Sequence, residues 1–132
     1  MYNVIYTHTA GAWTIQPYLQ YQNTPRNESI GITSSAHALG GALLVNYAVN
    51  SKFSLPARLE YLGSSGGTNL LYGADSKAWS VTVTPTYQEN IFFARLELSY
   101  VAAQSSTAGF VFGETGTNTS QARAMIETGI IF

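Results

Sequence analysis

Hydrophobic and polar residues alternate along most of this chain with a period of two. In FSLPARLEYLG, Phe53, Leu55, Ala57, Leu59 and Tyr61 fall on one side; Ser54, Pro56, Arg58 and Glu60 fall on the other. A helix would scatter that order around its circumference. A β-strand sends successive side chains to opposite faces and sorts it into two surfaces. The same sorting recurs in WTIQPYLQY (13–21), LGGALLVNYAV (39–49), WSVTVTPTYQ (79–88), FFARLELSYVA (92–102) and SQARAMIETGIIF (120–132), and more weakly in NVIYTH (3–8). The pattern predicts about seven strands and no helix, an all-β fold.

The connections alternate as well. TAGA, NSK and QEN are short; QNTPRNESIGITSS, GSSGGTNLLYGADSK and AAQSSTAGFVFGETGTNTS are long and polar. Short turns at one end and long loops at the other are the arrangement of an antiparallel up-and-down transmembrane β-barrel. Aromatic spacing points the same way. Trp13 and Tyr21, Phe53 and Tyr61, Trp79 and Tyr87, and Phe92 and Tyr100 each stand eight positions apart on the apolar side. Eight steps along a strand tilted by about 40° rise roughly 20 Å, near the apolar band of about 25 Å between two aromatic girdles. These rings, with Phe132, are the candidate membrane-interface residues, where an amphipathic ring keeps its body in lipid and its polar tip wet.

Composition sharpens this. Only 10% of the 132 residues are charged, against about 25% in ordinary soluble domains, yet mean hydropathy is +0.03. Ser, Thr, Asn, Gln and Gly fill the gap, beside nine Tyr, six Phe and two Trp. A net charge of −1 offers no basic stripe for nucleic acid. Without cysteine there is neither a disulfide framework nor a thiolate metal site. No run reaches the roughly 18 apolar residues of a membrane helix. MYNVIYTHTAGAW lacks the basic start, apolar centre and cleavage site of a signal peptide, so the chain is either not exported or a mature or internal piece.

FSLPARLEYLG, AWSVTVTPTYQ, FFARLELSYV and SQARAMIETGIIF resemble, in that order, the C-terminal part of the β-barrel porin family described as OmpL-like. The similarity covers most of the chain from about Phe53 onward and, more loosely, residues 13–21. It implies the outer membrane of a Gram-negative bacterium, passive diffusion as the activity, and a longer protein whose N-terminal portion is absent. Glu127-x-Gly129-x-x-Phe132 is similar to the C-terminal signal read by the barrel-assembly machinery. If Phe132 ends on the periplasmic side, the first of seven strands begins at the outer face, whereas barrel chains ordinarily start inside with an even strand count. Residues 1–132 are therefore expected to be one barrel domain or, more specifically, a C-terminal fragment of a larger barrel. Its open edges would pair with missing strands, with another copy, or with each other in a strained small barrel.

The polar side carries Arg58, Glu60, Arg95, Glu97, Arg123 and Glu127, and the motif A-R-L-E occurs twice. Two readings overlap: cross-strand ion pairs that satisfy each other in the wall, or charges that line a wet pore and bias what passes. Catalysis finds no footing. Asp75 is the sole Asp, in an expected loop, and His8 and His37 lie at strand ends and far apart in sequence. No triad, metal spacing or phosphate loop emerges, so no catalytic residue, metal or cofactor is expected. Pro17, Pro56 and Pro85 conflict with simple strands and predict bulges, kinks or a broken strand. The alternative from another class is a soluble or fibre-forming all-β binding or assembly module. Leu59, Val83 and Leu96 in a dry interior, with Arg58 and Arg95 outermost, would favour it.

Overall fold

A computed structural model describes residues 1–67 and 71–132. It contains β1 (Tyr2–Ile5), β2 (His8–Ala10), β3 (Trp13–Thr24), β4 (Ala36–Ala48), β5 (Phe53–Gly66), β6 (Lys77–Val83), β7 (Thr86–Glu89), β8 (Phe92–Gln104) and β9 (Ser120–Ile130), with one 3-10 turn at Glu28–Ile30. All pairings are antiparallel and join one sheet. The expected all-β architecture is what forms, and no described residue lies in an α-helix.

The nine segments make seven traverses, because two strands are interrupted without changing register. Tyr2 pairs with Tyr21 and Ala10 with Trp13, a single alignment that loses its ladder only opposite Pro17. Likewise Ala57 pairs with Val83 and Phe53 with Tyr87, one alignment broken where Pro56 and Pro85 stand. The prolines therefore introduce no bulge, which corrects the expectation of kinked or bulged strands; the alternative of a broken strand is what forms at Pro85, between β6 and β7. Each removes one donor and keeps its acceptor: Tyr6, Thr84 and Leu96 donate N–H to the carbonyls of Pro17, Pro56 and Pro85 at 3.1, 2.8 and 3.1 Å. The carbonyl of Thr84, facing Pro56, takes the Thr86 hydroxyl at 2.9 Å instead.

The register carries each strand's apolar side onto its neighbour's. Leu43 pairs with Leu59, Leu59 with Val81, Val81 with Tyr100, and Tyr100 with Ala122. A slip of one residue would put Arg58 and Glu97 among these side chains, which is why alternation pins the register. The short turns lie at one end and the long connections at the other. Asn50 closes one turn by accepting from the N–H groups of Lys52 and Phe53, both at 2.9 Å, and Asn90 adopts φ 52 in another. GSSGG is not outer loop throughout: β5 continues to Gly66. Residues 68–70 of that expected loop lie outside the described residues.

No dry core of bulky side chains forms among the described residues. The buried hydrophobic residues are all alanines: Ala36, Ala38, Ala78 and Ala103. Leu59 is 49% exposed, and Leu98 and Trp79 are each 47% exposed; Val83 and Leu96 are half-buried within the sheet. The sheet also curls. Thr14, Asn46, Pro56, Thr84 and Glu97 form one row across five traverses, which a flat sheet would stretch over about 19 Å. All five line a single cavity of about 200 Å³, so the polar side is the concave one. The first and last traverses each pair on one side only among the described residues, leaving a curled wall with two edges.

Candidate functional site

The concave face is assembled from side chains of one parity. Arg58, Thr82, Ser99 and Arg123 form one row across β5, β6, β8 and β9; Thr86, Arg95 and Glu127 form another nearer the turns. All six charged residues singled out by sequence stand on this face, and each has a partner. Arg95 sits directly opposite Glu127, with Nε at 2.7 Å and Nη2 at 2.5 Å from Oε2. Arg123 bonds diagonally to Glu97. Arg58 reaches Glu60 on its own strand at 3.1 Å, and Glu60 also accepts the Ser80 hydroxyl at 2.8 Å. Two pairs are therefore cross-strand as expected, and the third is not.

The reason lies in the neighbours. Both charged pairs within A-R-L-E stand two residues apart on one face. On β8, the next strand offers Glu127 and Arg123; on β5, it offers only Leu44, Ala42, Thr82 and Ser80, so Arg58 turns to Glu60. All six side chains keep 24% or more of their surface accessible. Ion pairs with that much exposure contribute about 0–1 kcal/mol each; their arrangement matters more for the field over the face than for stability. Asn46 completes this half. Its Oδ1 is buried without a protein partner, facing Pro56 across the ladder.

On the opposite, convex face the rings form two bands. Trp13, Phe53, Tyr87 and Phe92 lie toward the turns, and Tyr21, Tyr61, Trp79 and Tyr100 toward the long loops, as the pairings place them. Tyr61 packs on Trp79 with centroids 4.6 Å apart. Tyr47 belongs to the turn-side band too, 4.6 Å from Trp13. Its omission from the expected girdle has a simple cause: it has no ring eight residues away on its strand. Phe132 projects beyond the last pair, Phe92–Ile130, and is fully exposed.

His8 lies at the turn end, opposite Ile15. His37 lies at the loop end beside Ser65, whose hydroxyl is 2.8 Å from its Nε2. Asp75 accepts from the Gly66 N–H at 3.0 Å. His37 and Asp75 stand near each other, held by the consecutive Ser65 and Gly66 of β5, while His8 lies toward the other end of the sheet; among the described residues no three His, Asp or Glu cluster as a metal site.

Sequence reasoning missed a different feature. Toward the long loops the concave face carries Ala36, Ala38, Gly40, Ser64, Ala78 and Ala103, all buried. Leu71 and Tyr72, from the connection between β5 and β6, enclose a cavity of about 300 Å³ against Tyr18, Gln20, Glu60 and Ser80 of the wall. The loop folds inward over the small side chains. The signal was present in AHALGGA, where a water-facing wall ought to show polar residues.

A sheet with its bulky apolar residues outside and its charges on a wet inner surface has a counterpart among known families. The family model described as "Putative beta-barrel porin-2, OmpL-like" matches residues 1–132. The chain belongs to this family. The match extends the resemblance seen from Phe53 onward to the whole sequence, including the interrupted first strand. The family is one of porins, a class of membrane β-barrel defined by passage rather than by a reaction. No curated protein and no solved structure matches the chain.

Proposed function

We propose that the protein contributes a wall of an outer-membrane channel through which small hydrophilic solutes diffuse passively. The observation that carries this reading is the inversion of burial. Large side chains such as Leu59, Val81 and Leu98 are exposed on the convex face, while the buried residues are small. In water such a face would be a very large apolar patch; against acyl chains it is the surface expected of a porin.

On this reading the convex face meets outer-membrane lipid, the two aromatic bands mark its interfaces, and Arg58, Glu60, Arg95, Glu97, Arg123 and Glu127 line the pore. The strand ending in Phe132 is the one offered to the barrel-assembly machinery. Seven traverses leave the two edge strands running in the same direction. Antiparallel closure of the wall therefore takes an odd number of further strands, since an open edge in lipid leaves backbone groups unpaired. The test is reconstitution of the intact protein. It should require detergent, migrate on gels in a heat-modifiable way and conduct ions across a bilayer. Dispersion in buffer without detergent, and no conductance, would instead favour an all-β module that assembles through its two edges.

A further inference from the structure

Tyr72 is held from three directions. Its N–H donates to Ser76 Oγ at 3.1 Å, its carbonyl accepts from the Thr107 N–H at 2.9 Å, and its ring packs on Phe112 with centroids 5.1 Å apart. Ser76 is fully buried and donates to the Gly73 carbonyl at 2.8 Å. Gly73 has φ +116, and a Cβ there would stand 2.3 Å from Thr107 Oγ1. Only glycine lets the β5–β6 and β8–β9 connections meet at this point. The inward fold is thus braced by both connections rather than laid loosely across the opening.

Beneath Tyr72 the wall presents an aromatic ring at Tyr18, an amide at Gln20, a hydroxyl at Ser80 and a carboxylate at Glu60. The Glu60 charge is balanced by Arg58 at 3.1 Å, so the chamber has little net charge with which to attract or reject ions. Its volume of about 300 Å³ lies at the lower end of the roughly 300–1,000 Å³ of small-molecule sites. Aromatic faces accept the C–H faces of a sugar ring, and amide, hydroxyl and carboxylate groups pair with its hydroxyls.

We propose that residues 71–76 form a fixed constriction, where Tyr72 with Tyr18, Gln20 and Glu60 recognises neutral, hydroxyl-rich solutes of the sugar class. This rests on the channel reading above, and one experiment separates the two. The intact protein is placed in a planar bilayer in potassium chloride, and current is recorded before and after addition of sucrose, with glycine as a control solute. Sucrose should reduce the current saturably and glycine should not. Tyr72→Ala and, on the wall, Tyr18→Ala should each raise the half-blocking concentration several-fold, up to about tenfold, as loss of one packed ring implies. Tyr72→Phe should stay within about twofold, because the ring remains. Gly73→Val should enlarge the open current and abolish the saturable block. Heat-modifiable migration identifies the variants that fold. No current from folded protein in salt alone sinks the channel reading. A normal current that sucrose blocks no better than glycine, or equal block in the wild type and both alanine variants, overturns the sugar station alone.

Discussion

Toward the turns, the concave wall carries Arg58, Arg95, Glu97, Arg123 and Glu127, paired and partly accessible to water. Toward the long loops, the same face carries Ala36, Ala38, Gly40, Ala78 and Ala103, buried beneath inward-folded chain. Strand parity is identical in both halves, so position along the strand, not which face a residue takes, makes the difference. The charged half keeps its groups in water and lets them pair weakly. The roofed half narrows around a cavity of about 300 Å³ and needs small side chains to admit the loop. Thr82, buried within the charged half, is the local exception among the described residues, sitting in the row between Arg58 and Ser99.

The sharpest way to break this comparison is to put the same cation in each half. Ala103→Arg forces a cation into a buried position toward the long loops and should cost about 3–5 kcal/mol or prevent folding, as an uncompensated buried charge does. Ser99→Arg, in the accessible half between Glu97 on its own strand and Arg123 directly opposite, should stay within about 1 kcal/mol because exposed charges interact weakly. Urea unfolding in lipid vesicles measures both; equal costs would mean the two halves are alike.

Next in size is the brace itself. Gly73→Val places a β-branched residue at positive φ and against Thr107, and should cost about 1–3 kcal/mol. It should also make the β5–β6 connection a site of rapid proteolysis while the strands stay protected. Unchanged cleavage would show that the roof does not depend on Gly73.

A smaller effect is expected from the ion pairs. A double-mutant cycle on Arg95 and Glu127 should give a coupling of about 0.2–1 kcal/mol that shrinks as salt rises. A value several times larger would mean the turn-side half is drier than its exposure indicates. The smallest effect is expected at Pro85→Ala. It restores a ladder donor opposite Leu96 but loosens the unfolded chain, and these should offset to within about 1 kcal/mol. A large change in either direction would contradict an unshifted register.

Much of this was legible in the primary structure. Alternation in FSLPARLEYLG fixes which residues share a face, because strand geometry leaves no other sorting. Eight-residue ring spacing gave two bands, and parity sorted the loops. The interrupted strands were harder to read. A proline announces a missing donor, but whether the neighbour answers with a bulge or with a side chain such as Thr86 depends on what lies across the ladder. Partner choice was likewise hidden: two copies of A-R-L-E read alike, and only their flanking strands distinguish a pair along β5 from pairs across β8 and β9.

The amino-acid order alone determined the strands, their faces and the placement of charge and rings, since each follows from local backbone geometry and side-chain parity. Tertiary structure alone decided that Thr14, Asn46, Pro56, Thr84 and Glu97 curl around one cavity on the polar side, the side that alternation and ring spacing already set to face inward. It also decided that Gly73, Thr107 and Phe112 draw Tyr72 over a bed of alanines. Those contacts join residues some 35 positions or more apart, and no short-range periodicity encodes which distant loops will touch.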